Sequence, residues 1–136
     1  MHKYFGSNGF FLLLIPFVLL GTAIVVFANN ADGTTAQTPT MVTGGDPVQG
    51  QQEMVLYGCG SCHEIAGIAG AKGKVGPPLA GIADRTFIAG RLPNNADNLV
   101  HWIQFPQSVS PGTDMPNLNV SESAARDMAA YLFTLR

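Results

Sequence analysis

The sequence predicts an all-α domain, filled by something other than its own side chains and preceded by a single N-terminal transmembrane helix. Three observations predict this. Residues 10–28 are an uncharged, apolar run. Beyond them lie three modest helical patterns and no alternation sustained enough for a strand. The middle of the chain, from Gly67 to Leu92, is rich in Gly and Pro and reads as loops with at most a short helix.

The run FFLLLIPFVLLGTAIVVFA comes first. Roughly 20 helical residues cross the ~30 Å hydrocarbon core of a bilayer. Pro16 is tolerated inside such a helix. Lys3 is the sole formal charge before the run, and none follows until Asp32. This bias keeps residues 1–9 in the cytoplasm and carries the remainder across. Val26-Phe27-Ala28 also forms a passable cleavage site, so a secretory signal is the competing reading. A signal core is usually ~7–15 residues, shorter than this run, which favours an anchor in the cytoplasmic membrane. Either reading puts the following domain on the periplasmic or extracytoplasmic side. No cysteine ends the run, so a lipoprotein anchor is not available, and the domain is too small to bury an all-apolar core helix.

Residues 29–45, NNADGTTAQTPTMVTGG, show no sustained period and read as a flexible linker with a reach of roughly 20–25 Å. The domain proper is expected over 46–136. Asp46 can cap a first helix with Pro47 at its first position. A second helix is expected from Asn98 to Phe105, capped by Asp97 and stopped by Pro106, with Leu99, Trp102 and Ile103 on one side. A third starts at Ser121, with Glu122 at its positive end and Ala124, Met128, Tyr131 or Leu132, and Leu135 on its apolar face. From Asp46 onward there are eight acidic residues and six Lys/Arg. No internal repeat and no basic patch suited to nucleic acid is visible.

Both cysteines lie in Cys59-Gly60-Ser61-Cys62-His63. Cys-x-x-Cys-His is the attachment signature of c-type haem: two thiols add to the porphyrin vinyl groups, and the next imidazole meets the iron. A thioredoxin-type dithiol needs a preceding strand, and here a helical pattern precedes. A zinc site needs two more ligands. His2 is before the membrane run, leaving His101 as the other histidine. One covalent haem c would fill the core that three short helices cannot.

The face opposite His63 has several candidate ligands: Met41, Met54, Met115, Met128 and His101, or none. Met41 lies in the linker, Met54 is close in sequence to the cysteines, and Met128 sits on an apolar helix face. Met115 lies in Pro111-Gly112-Thr113-Asp114-Met115-Pro116, a stiff loop far along the chain, and is the favoured thioether.

With these residues in view, the chain resembles a class I cytochrome c domain of the membrane-tethered, single-haem type. It is especially similar to the cytochrome domain of subunit II of caa3-type oxidases. The resemblance spans Gly50 to Leu135. After Cys59, Cys62 and His63 it rests on Gly76-Pro77-Pro78-Leu79, Gly81, Arg85, Gly90, Asn94, Leu99, Trp102-Ile103 and Pro106. It closes with Pro111-Gly112, Met115-Pro116 and Ala130-Tyr131-Leu132. That oxidase subunit carries a copper-binding domain with its own Cys, His and Met cluster; this chain lacks one and is expected to be a stand-alone carrier or small separate subunit. The resemblance implies that the Pro77 carbonyl accepts a hydrogen bond from the His63 ring. It implies that Arg85 and the Trp102 indole meet haem propionates. It also implies that first and last helices cross through Gly50, Leu56, Tyr131 and Leu132. The implied function is single-electron transfer without substrate conversion. The competing readings are a haem-bearing accessory subunit and a ligand sensor with an open sixth position; peroxidase chemistry lacks a distal histidine–arginine pair. The expected partner is a terminal oxidase, a quinol-oxidising complex or a reaction centre. With formal charge −2 before any haem propionates, docking would not use a strongly basic face.

Overall fold

The computed structural model describes residues 38–136. The expected cytoplasmic segment 1–9, the membrane run 10–28 and most of the linker lie outside the described residues. Among those described, no helix is long and apolar enough to cross a membrane.

Helix α1, Pro39–Thr43, is the first departure from expectation, because it lies inside the segment read as linker. Pro39 starts it and Gly44, at φ 70°, ends it by donating its N–H to the Thr40 carbonyl. Five residues rarely hold a helix alone. This one is fastened from outside. Thr43 is 1% exposed. Its hydroxyl donates to the Pro39 carbonyl and accepts from the Gly45 N–H, and its own carbonyl accepts from Arg126 Nη1 at 3.1 Å. The compact unit therefore begins before Asp46.

Helix α2, Pro47–Leu56, has the predicted start: the Asp46 carboxylate accepts from the N–H groups of Val48 (2.7 Å) and Gln49 (3.4 Å). The Asp46 N–H itself donates to Asp127 Oδ1 at 2.7 Å. Helix α3, Ala96–Gln104, begins earlier than expected, because Asn95, not Asp97, caps it by accepting from the Asn98 N–H at 2.9 Å. After α3, Pro106 opens a short helix α4, Pro106–Val109. Helix α5, Glu122–Leu132, is capped by Ser121, whose hydroxyl accepts from the Ala124 N–H. Leu135 falls beyond its end. A tight 3₁₀ turn, Cys59–Ser61, follows α2, and a second, Ile82–Asp84, lies in the Gly/Pro-rich middle. So does a two-residue antiparallel ladder, β1 (Phe87–Ile88) with β2 (Leu92–Pro93), too short to leave an alternating pattern.

The frame is the crossing of α2 with α5, with α1 and α3 also packed on α5. Gly50 makes the crossing possible. A Cβ there would run into the Asp127 carbonyl, so the two backbones touch. Tyr131 and Leu132 are buried as expected, and the Tyr131 hydroxyl donates to the Ala66 carbonyl, tying α5 to the loop after the cysteines. Leu56 is not part of this contact. It ends α2 on the solvent side and is 78% exposed.

Candidate cofactor site

One turn of chain presents both thiols and the imidazole. Helix α2 stops at Tyr57, and Gly58, at φ 71°, turns the backbone into the Cys59–Ser61 segment. There the Cys59 carbonyl accepts from the N–H groups of both Cys62 (3.2 Å) and His63 (3.0 Å). Both cysteines are half-buried. Burial pushes the Cys59 thiol above its ordinary range; its backbone hydrogen bond opposes the rise and the neighbouring Cys62 adds to it.

The following loop folds back under this turn. Gly76 N–H donates to the Cys62 carbonyl at 2.8 Å, and Leu79 N–H to the Glu64 carbonyl at 2.9 Å. Between them the Pro77 carbonyl stands 2.7 Å from His63 Nδ1. A carbonyl only accepts, so Nδ1 carries the proton and Nε2 keeps its lone pair for another partner. Gly76 lies flush against the same ring: a Cβ there would sit 2.6 Å from Nδ1 and 2.8 Å from Nε2. Sequence reasoning placed Gly76 in a motif but gave it no task. A glycine directly before the carbonyl that orients a ring was the available signal.

These groups face a cleft of about 430 Å³. Cys59, Cys62, His63, Pro77, Arg85, Trp102 and Met115 all line it. The seven residues singled out from the sequence thus share one cavity. Leu79, Ile82, Ile88 and Leu118 give it apolar walls. A smaller recess of about 60 Å³ adjoins, lined by residues that include His63, Trp102 and Met115 together with Met54 and Met128. Met54 and Met128 are buried at the α2–α5 crossing. His101 points elsewhere; it is exposed and tilts against Phe105 with ring centroids 5.5 Å apart.

Arg85 is also tied to the chain itself. Its Nη2 donates to the carbonyls of Pro78 and Ala80, so the guanidinium grips the loop that carries Pro77. Asn94, from which no such role was read, supports this arrangement by donating to the carbonyls of Ile82 (2.7 Å) and Arg85 (2.9 Å).

The donor set decides what the cleft suits. A structural zinc ion wants four converging N or S ligands, and among the described residues no group of three or more His, Cys, Asp or Glu converges in that way. A cleft of this size, within the ~300–1,000 Å³ range of small-molecule sites, with two thiols on one turn, an imidazole with a free Nε2, a thioether and apolar walls, fits haem.

A helical domain of this kind, with thiols and imidazole offered from one turn to an apolar cleft, has the fold and site of a class I c-type cytochrome. Residues 47–136 match the family model described as Cytochrome c, and the chain belongs to the cytochrome c family. At the level of the family this supports a c-type cytochrome involved in electron transfer. It is 37% identical over 89 residues to cytochrome c oxidase subunit 2 of Alkalihalophilus pseudofirmus, covering 65% of this chain and 25% of that protein. It is 32% identical over 96 residues to the subunit of the same name from a Bacillus species, covering 67% and 27%. Cytochrome c2 of Rhodoblastus acidophilus is 36% identical over 103 residues, covering 65% of this chain and 91% of that protein. The chain thus spans about a quarter of the length of the oxidase subunits it matches.

Proposed function

We propose that this chain is a membrane-anchored, mono-haem c-type cytochrome that passes single electrons to a terminal oxidase, with His63 and Met115 as the two axial ligands. The observation that carries the reading is the shared cleft. His63, with Nδ1 committed to Pro77, leaves Nε2 available in a cavity that Met115 also lines. The anchor is residues 10–28, with 1–9 in the cytoplasm and the haem domain on the extracytoplasmic side.

Haem, when bound, supplies the one-electron chemistry of its iron. The work of the chain is to hold and shield it. Cys59 and Cys62 would fix it by two thioether bonds. The Pro77 carbonyl keeps the His63 ring in one tautomer and one orientation and makes the imidazole a stronger donor. A thioether from Met115 favours the ferrous state and raises the potential. Leu79, Ile82, Ile88 and Leu118 keep water from the cleft. Two fixed ligands leave little to rearrange when one electron arrives, which suits a carrier better than a ligand sensor. The oxidase as partner draws on the relatives named cytochrome c oxidase subunit 2; a quinol-oxidising complex would be the donor. A reaction centre in place of the oxidase, or a fixed accessory subunit in place of a free carrier, would show as different co-eluting subunits in mild detergent.

The test is Met115→Ala in the haem-loaded chain. Haem should stay covalently attached through Cys59 and Cys62. The weak sulfur-to-iron absorption band should vanish, the potential should fall, and the ferrous protein should bind carbon monoxide. A variant that keeps the band and excludes carbon monoxide would move the ligand role to another residue, with Met54 and Met128 next to be tested.

A further inference from the structure

The segment that carries Met115 has almost no backbone support of its own. Among the described residues, no backbone-to-backbone hydrogen bond involves residues 114–120. The Met115 N–H reaches only the Thr113 hydroxyl, at 3.5 Å. A loop so poorly bonded would ordinarily sample many conformations. Yet the reading above requires that Met115 present its sulfur at one place.

Gln107, half-buried on α4, makes three hydrogen bonds to this loop. Its Oε1 accepts from the Gly112 N–H at 3.2 Å. Its Nε2 donates to the Thr113 carbonyl at 2.6 Å and to the Met115 carbonyl at 2.9 Å. The assignment of amide oxygen and nitrogen is fixed by the partners. Turning the amide over would set its NH₂ against an N–H and its oxygen against two carbonyls. Gln104 Nε2 donates to the Val120 carbonyl at the far end of the segment, at 3.1 Å; around Met115 it is Gln107 that replaces the missing ladder, and one of its bonds ends on Met115 itself. Pro106 starts the short helix that carries Gln107, and the helix ends with the Ser110 N–H donating to the Pro106 carbonyl, just ahead of the Pro111-Gly112 turn.

We infer that Gln107 is the positioning residue for Met115: it clamps residues 112–115 and sets how readily the thioether is displaced from the cleft. This rests on the axial role given to Met115. The clamp resists loop opening, so its removal lowers the cost of replacing the thioether by an added ligand. Three neutral hydrogen bonds, each of modest net worth, correspond to about a ten- to thousandfold change in that equilibrium.

The experiment uses the haem-loaded full chain and imidazole as the probe. Gln107→Leu keeps the side chain's bulk and removes all three bonds. Imidazole should bind the ferric variant about ten- to thousandfold more tightly than it binds wild type. The Thr113 amide, which donates to the Ser110 carbonyl at 3.0 Å and does not touch the glutamine side chain, should exchange with solvent faster by a similar factor. The Gly76 amide, on the His63 side, should not change. Gln107→Glu keeps an acceptor for Gly112 but sets a carboxylate against two carbonyls, so it should shift both readouts in the same direction, and it decides the matter if the leucine variant does not fold. Imidazole affinity and Thr113 exchange both within twofold of wild type would overturn the inference. If Met115→Ala itself binds imidazole no more tightly than wild type, the axial assignment has failed instead, and Thr113 exchange alone then decides whether Gln107 clamps the loop.

Discussion

Replacing Gly76 with alanine isolates the fit between the loop and the His63 ring. The Gly76 backbone does not adopt a left-handed conformation, so alanine meets no dihedral penalty there. The cost is contact. The new Cβ would lie 2.6 Å from His63 Nδ1 and 2.8 Å from Nε2, where non-bonded carbon atoms prefer about 3.5–4.0 Å. The ring or the loop must therefore retreat by about 1 Å. The Nδ1-to-Pro77 bond, now 2.7 Å, would stretch to the outer limit of a hydrogen bond or break. Overpacking costs about 1–3 kcal/mol and the lost bond about 0.5–1.5 kcal/mol. The sum is roughly 2–4 kcal/mol. Pro77→Ala is the matched control, since it keeps the carbonyl and changes only chain stiffness, worth about 1 kcal/mol or less. Guanidinium unfolding of the haem-loaded domain measures the loss, and nuclear magnetic resonance follows the protection of the His63 Nδ1 proton. A Gly76→Ala protein within about 0.5 kcal/mol of wild type, with that proton still protected, would refute the reasoning.

Three further outcomes are expected. Gly50→Ala should destabilise by about 1–3 kcal/mol, because overlap with the Asp127 carbonyl outweighs the helix propensity gained; a raised denaturant midpoint would show that the crossing is looser than described. Burial raises the Tyr131 phenol above its ordinary value of about 10, with a Gln51 hydrogen bond opposing. The folded state thus holds that proton more tightly, so the contribution is fully present below about pH 10 and is lost as pH rises through the folded-state value. Melting temperatures between pH 8 and 11 should show this loss in wild type and not in Tyr131→Phe. Finally, the mature chain should retain residues 10–28 and stay with membranes after a salt wash; a mature N-terminus near Asn29 in the wash would make the run a cleaved signal.

What could be read from the sequence was mostly local. Asp46-Pro47 and Ser121-Glu122 announced helix starts because a cap acts on groups two or three residues away. Gly50 was legible through the family resemblance, which implied that the first and last helices cross there; a glycine is what such a close approach needs. Residues whose partners are distant were opaque. Helix α1 is too short to show a period and exists because Arg126, far along the chain, reaches the Thr43 carbonyl. Asn95 and Asp97 are equally good caps by type. The choice fell to Asn95 because its backbone is extended, at φ −139° and ψ 170°. Leu56 was expected at the crossing from the resemblance, but the last turn of α2 points it outward. The bonds of Arg85 to the Pro78 and Ala80 carbonyls were equally hidden, since they depend on how the loop folds back and not on charge. Gln107 carried no signal, since a lone glutamine beside a proline is unremarked until the loop folds over it.

The crossing of α2 and α5 does more than join two distant parts of the chain. Met54, 3% exposed, comes from one helix and Met128, 1% exposed, from the other, and together they help to line the inner recess behind the cleft. The helix pair is thus also a stopper. Solvent dipoles that would swing round in response to a new charge are kept from that side, and what remains nearby is sulfur and hydrocarbon, which respond weakly. A substitution that loosens the crossing, even one remote from the cysteines, should make the surroundings of the cleft more polar and more yielding. The electrical insulation of the site is in this sense a property of helix packing, set by whether residue 50 is small enough for two backbones to touch.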